Sequence, residues 1–119
     1  MKTPSSLLVV QDLAQSLTFY TETLQLELIE SHTDCIKLKA GKHEIIMFQG
    51  SLPSVDYDHG YNANSTLLFT VDDLDSEIQR LKSAGVTFVH QEINQNCWGR
   101  YSAFKDPSGI VHELFELFN

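Results

Sequence analysis

Much that would classify a chain quickly is missing from this one. Only two cysteines, Cys35 and Cys97, occur in 119 residues, with no CxxC or Cys/His spacing, so a disulfide scaffold and a zinc site both lack support. Lysine and arginine number eight against sixteen acids, for a net charge of −8. They are scattered, whereas phosphate-backbone binding needs clustered cations. No apolar run approaches the ~20 residues that cross a bilayer, and the apolar stretch within Met1–Val10 is too short for a signal peptide. The expected compartment is the cytoplasm. Gly-rich phosphate loops, GxSxG elbows and Cys/His nucleophile pairs are absent. His32, His43, His59, His90 and His112 form no HxH, HxxxH or HExxH spacing, so each is read first as an ordinary side chain; His59 lies in a linker that could bring it inward.

What remains is most informative at the end, in WGRYSAFKDPSGIVHELFELF, from Trp98 to Phe118. Two apolar-rich runs, Tyr101–Lys105 and Ile110–Phe118, flank Asp106-Pro107-Ser108-Gly109, a turn signal that predicts a hairpin. The second run alternates: Val111, Glu113, Phe115 and Leu117 share one face, His112 and Leu114 the other. Glu113 is thus a lone carboxylate among apolar neighbours, which is costly unless a cation, donor or water answers it.

Taken in order, Ser6–Val10 reads as a strand and Asp12 as the cap of a helix over Leu13–Leu24. Three strands follow, Leu26–Glu30, Cys35–Lys39 and Glu44–Gln49, the last two joined by a tight turn at Ala40-Gly41-Lys42. Residues 51–64, rich in Gly, Pro, Asp, Asn and Ser, are a linker. The pattern then restarts with a strand at Thr66–Val71, a helix over Leu74–Ala84 capped by Asp73 and stopped at Gly85, and strands at Val86–His90, Tyr101–Lys105 and Ile110–Leu117. Sliding the first half by 61 positions lays Val10-Gln11-Asp12-Leu13 on Val71-Asp72-Asp73-Leu74 and Leu17 on Ile78. The chain is one βαβββ unit written twice, as modules over about 5–50 and 65–119.

The doubled unit, the V-x-D-L step in both halves and the W-G…F-K-D-P-S-G…E-L-F-E ending resemble the vicinal oxygen chelate superfamily, which includes glyoxalase I, extradiol dioxygenases and the fosfomycin- and bleomycin-resistance proteins. The resemblance implies an α+β fold in which two βαβββ modules form a partly closed mixed-sheet barrel with a cleft, helices outside. It also implies four metal-ligand positions, which counting from Asp12, Asp73 and Asp106 puts at Ser5, Met47, Thr66 and Glu113. A shifted fourth strand would bring Glu44 or Gln49 in place of Met47. Only Glu113 is of ligand type. Zinc, nickel and iron sites need several imidazole or carboxylate donors, so the expected protein is metal-free and without a cofactor.

Strand parity then predicts a cleft lined by Leu7, Val9, Met47, Gln49, Thr66, Leu68, Thr70, Glu113, Phe115 and Leu117. Beside it Trp98 and Tyr101 could stack on a flat ligand and Arg100 could hold an anionic group; the alternative is an aromatic anchor packing the loop. Tyr57 and Tyr61 carry the same two readings, or lie at a subunit interface. The Asp72-Asp73-Leu74-Asp75 acids answer the positive end of a helix. Glu113 either pairs with a cationic ligand group or acts as a general base, or else is bonded to Ser5, Thr66 or water. The expected protein binds a small aromatic or cationic molecule, as a homodimer by family resemblance. The alternatives are a metal-dependent lyase or dioxygenase, a metal-free enzyme using Glu113, and a structural or protein-interaction role.

Overall fold

The computed structural model describes residues 1–55 and 60–119, so Tyr57 and His59 lie outside the described residues. Two units divide at Ser54 and Val55. In the first, β1 (Ser6–Val10), α1 (Leu13–Thr18), β2 (Glu27–Ser31), β3 (Cys35–Ala40) and β4 (His43–Gln49) build a mixed sheet of order β1-β4-β3-β2. The second has β5 (Leu68–Thr70), α2 (Leu74–Ser83), β6 (Thr87–Phe88), β7 (Asn94–Gln95), β8 (Gly99–Lys105) and β9 (Val111–Leu117), in the order β5-β9-β8-β6 with β7 also on β8. Each sheet pairs its first strand parallel to its last and the remaining strands antiparallel. The fold is α+β, and neither sheet closes on itself.

Both strand-to-helix steps form as the repeat predicts. The Asp12 carboxylate accepts the Gln15 amide and the Asp73 carboxylate the Ser76 amide, each at 3.1 Å, satisfying donors that a helix start leaves without an intrahelical acceptor. The helices then differ. The apolar spacing predicts one helix from Leu13 to Leu24, but α1 ends at Thr18 and continues as a π-helical turn over Phe19–Thr23. The Thr21 hydroxyl donates to the Leu17 carbonyl at 2.6 Å, and the Leu24 amide reaches back to Phe19. A threonine bonding backward competes with the regular ladder, while the widened turn keeps Tyr20 fully buried.

The sheets were less legible near their edges. Val86–His90 reads as one strand, yet only Thr87–Phe88 pairs in the ladder, and the polar segment Gln91–Cys97 contains β7. Asn94 and Gln95 pair because backbone groups, not side chains, make the ladder. The DPSG turn forms as predicted: the Asp106 carboxylate accepts the Ser108 and Ile110 amides at 2.9 and 2.8 Å, and Gly109 takes φ of 88°. That Asx arrangement sets the register of β8 on β9.

Candidate functional site

Side-chain alternation decides which residues share a surface. In the second unit α2 covers the face that holds Leu114, Phe104 and His112, with Leu74 and Leu81 packed from the helix. The opposite face carries Glu113 in register with Leu68 on β5 and Ala103 on β8. One step along β9, Phe115 lies in register with Thr70, with Tyr101, and through Tyr101 with Asn94. The Tyr101 and Phe115 rings stand 6.4 Å apart and nearly parallel, at 10°. Leu68, Thr70 and Leu117 are exposed, and Glu113, Tyr101 and Asn94 half-buried. The surface thus combines one carboxylate, a stacked aromatic pair, and a hydroxyl and an amide at its margin.

Arg100 belongs elsewhere. It was expected to offer a fork to a ligand, but it points to the helix-covered face, where its guanidinium bonds Glu116 at 3.1 Å and Asp75 at 3.0 Å. Its parity is opposite to that of Tyr101, and two carboxylates already hold it and raise its pKa. Glu116 also accepts the Leu74 amide at 2.8 Å, and that bond, then Arg100, lowers its pKa. The cluster fastens the start of α2 to β8 and β9. Trp98 stands just ahead of β8, 68% exposed. Its amide donates to the Asn96 side chain and its carbonyl accepts from Phe118. Thr66 precedes β5 and is half-buried.

In the first unit the predicted surface splits. Leu7 and Val9 are about three-fifths exposed, on the side away from α1. Met47 and Gln49 are not beside them: Met47 is fully buried among core residues, and the Gln49 carbonyl oxygen accepts the Leu13 amide of α1 at 3.0 Å. The count along the fourth strand was one residue out, and a slip of one turns every side chain to the other face. The neighbours of Leu7 and Val9 are Ile46 and Phe48. These two were missed, although the repeat held the signal. With Leu7 equivalent to Leu68, the register partners Ile46 and Glu113 occupy the same place in their modules.

The four positions to which the resemblance assigns metal ligands are therefore Ser5, Ile46, Thr66 and Glu113. Two hydroxyls, a hydrocarbon and one carboxylate do not make an inner shell for a transition metal. Among the described residues no group of three or more His, Cys, Asp or Glu side chains could hold a metal ion together.

The model of the glyoxalase/bleomycin resistance protein/dioxygenase superfamily matches residues 4–114. The chain belongs to this superfamily. Solved structures share its fold across nearly the whole length. Lactoylglutathione lyase from Agrobacterium tumefaciens is 18% identical with a TM-score of 0.73, covering 97% of this chain and 92% of its own. The fosfomycin resistance protein FosX from Listeria monocytogenes, complexed with Mn(II) and sulfate, is 21% identical with a TM-score of 0.78, covering 98% and 90%. TnmS3, an antibiotic binding protein from Streptomyces sp. CB03234, is 23% identical with a TM-score of 0.70, covering 98% of each chain. No functionally curated protein matches in sequence. The superfamily fold thus carries a lyase, a resistance protein and an antibiotic binder, so activity has to be argued from this chain's own side chains.

Proposed function

We propose that this protein is a metal-free small-molecule-binding member of the superfamily that takes an aromatic or cationic ligand on the second-unit surface bearing Glu113. The observation that carries the reading is the placement of Glu113. Its cross-strand neighbours Ala103 and Leu68 are uncharged, and the Tyr101–Phe115 stack begins two residues along the same strand, roughly 7 Å away. A ligand with a flat ring and a protonated nitrogen meets both features at once. The net charge of −8 favours a cation's approach. Sequestration of a drug or metabolite is the corresponding role. Among the described residues no helix is long and apolar enough to cross a membrane, and we place the protein in the cytoplasm. Exposed Leu7, Val9 and Phe48 offer an apolar contact for pairing as a homodimer.

Calorimetric titration of wild type and Glu113→Gln against basic, neutral and acidic aromatic compounds tests the site. A hydrogen bond to a charged group contributes roughly 1.5–3 kcal/mol, so affinity for a basic binder should fall about tenfold or more, with little change in folding stability. Unchanged affinity for every binder would remove Glu113 from the site. Elemental analysis showing stoichiometric zinc, nickel, iron or manganese would overturn the metal-free reading, and light scattering at a monomer mass the dimer.

A further inference from the structure

The helix-covered side of the second unit has a recess of its own. It is a hollow of about 120 Å³ between α2 and the segment that joins β6 to β7, lined by Ile78, Ile93 and Ser102 below and Asp75, Lys82, His90 and Gln91 around it. Ile78 and Ile93 are half-buried and Ser102 is buried, whereas the four polar residues are exposed. The hollow therefore has an apolar floor with one hydroxyl and a polar rim. With two apolar and five polar lining residues it is small and polar for a ligand site, suited to a compact body that carries one charged group.

The rim is not electrically symmetric. Asp75 and Lys82 lie on one face of α2, two turns apart, about 10 Å along the axis. At one end the Asp75 carboxylate is bonded to the Arg100 guanidinium at 3.0 Å, so its charge already has a partner. At the other end the Lys82 ammonium lies 5.6 Å from the centre of the Phe88 ring. A ring face restrains an ammonium without neutralising it. The His90 ring and the Gln91 amide also line the hollow and add polar groups able to donate hydrogen bonds.

We propose that this hollow is a second binding site, for a small monocarboxylate with a compact apolar body. The carboxylate meets Lys82, with His90 and Gln91 as further donors, and the body rests on Ile78 and Ile93. At the far end Asp75 and Glu116 share the one Arg100 guanidinium, so that cluster keeps one net negative charge, which disfavours a second negative charge on the ligand and rejects dicarboxylates of similar length. The site is separate from Glu113, which lies on the other face of the same sheet, and it stands or falls independently of the function proposed above.

The probes are benzoate and isovalerate as monocarboxylates and succinate as the dicarboxylate, titrated into the 119-residue protein and followed by amide and side-chain chemical shifts. The expected result is saturable shifts from the monocarboxylates at millimolar concentration, confined to residues 75–93 and Ser102. Lys82→Gln should weaken them about tenfold or more. Asp75→Asn, which keeps the shape of the rim, should narrow the gap between succinate and the monocarboxylates. Any of three outcomes overturns the proposal: no saturable shifts, shifts that Lys82→Gln leaves unchanged, or shifts centred on Glu113 and Tyr101. A ligand-free spectrum of each variant that overlays on wild type away from the hollow shows that the variants fold.

Discussion

The two units keep the same hydrogen bonds where the backbone needs them and differ where side chains face outward. Gln49 ends β4 and accepts the first helical amide, Leu13; Glu116, its counterpart, accepts the Leu74 amide. The contact is therefore one clamp made twice, neutral in the first unit and ionic in the second, where Arg100 and Asp75 join it. Ile45 corresponds to His112, both fully or almost fully buried. Ile46 corresponds to Glu113. The caps and clamps are the same in both units, and the second unit carries polar groups where the first has hydrocarbon.

The largest effect is expected where the second hairpin exceeds the first. The β3–β4 ladder stops at Cys35 and Phe48, but its counterpart continues past Tyr101 and Phe115 to Gly99 and Leu117. A Cβ at Gly99 would overlap the Glu116 carbonyl, which no rotamer change relieves. Gly99→Ala should cost about 3 kcal/mol, the upper end for overpacking, seen as a fall in denaturation midpoint. It should also loosen Glu116 and with it the ionic clamp. An unchanged midpoint would mean that the strands part without strain.

A similar effect, confined to acid, is expected of His112. It is 1% exposed, beside the rings of Phe69 and Phe104, and burial lowers its pKa from 6.5 to about 4. Between those values the unfolded chain binds the proton and the folded chain does not, so stability is full above pH 6.5 and falls as pH drops toward 4. The loss amounts to roughly 3 kcal/mol at most. Denaturant titrations at neutral pH and near pH 4.5 should show it. In His112→Leu, which approaches the first unit's Ile45, that slope should flatten. If it persists, other groups cause it.

The clamps come next. Gln49→Ala should cost about 1 kcal/mol, the ordinary worth of a hydrogen bond. Glu116→Gln copies the neutral clamp into the second unit. It should lower stability near neutrality, where Glu116 is charged, and have less effect in strong acid. Because its pKa is depressed by the Leu74 amide and Arg100, Glu116 stabilises above the ordinary carboxyl pKa and loses that contribution as pH falls through its own lowered value. An equal effect of Glu116→Gln at every pH would show that only geometry matters there.

Much of this was visible in the chain. Hydrophobic period, capping aspartates and the DPSG turn placed the strands and helices because each depends on neighbours a few residues away. The repeat extended that local information to topology. What was not visible depended on pairing across the sheet. The face of Met47 and Gln49 turned on a register that the turn at Gly41 could not define alone, and Arg100 looked available because its partners Asp75 and Glu116 are distant in sequence. Of the candidate surface, Glu113, Phe115, Leu68 and Thr70 were identifiable from parity in the second unit, and Tyr101 from its aromatic character beside Trp98. Applying the same offset through register, not through counted residues, would have replaced Met47 by Ile46.

The smallest expected effect gives the sharpest comparison. Ile46→Glu places a carboxylate at the first unit's counterpart of Glu113, yet its surroundings are not equivalent. Lys37 of β3 is in register with Ile46 on one side and Leu7 on the other, whereas Glu113 lies between Ala103 and Leu68. Opposite charges directly across strands contribute a few tenths to 1 kcal/mol, which should offset much of the lost apolar contact and hold the stability change within about 1 kcal/mol. For the same reason the new carboxylate should add no measurable affinity for a cationic aromatic compound, because Lys37, although it also faces Glu30 of β2, answers it first. Ile46→Glu combined with Lys37→Ala removes that answer. Titration of the single and double variants with the best basic binder of the wild type distinguishes the cases. If the single variant alone gains a cation site, an in-register lysine does not silence a carboxylate on the open face of a sheet, and the uncharged cross-strand neighbours of Glu113 no longer support the site we propose.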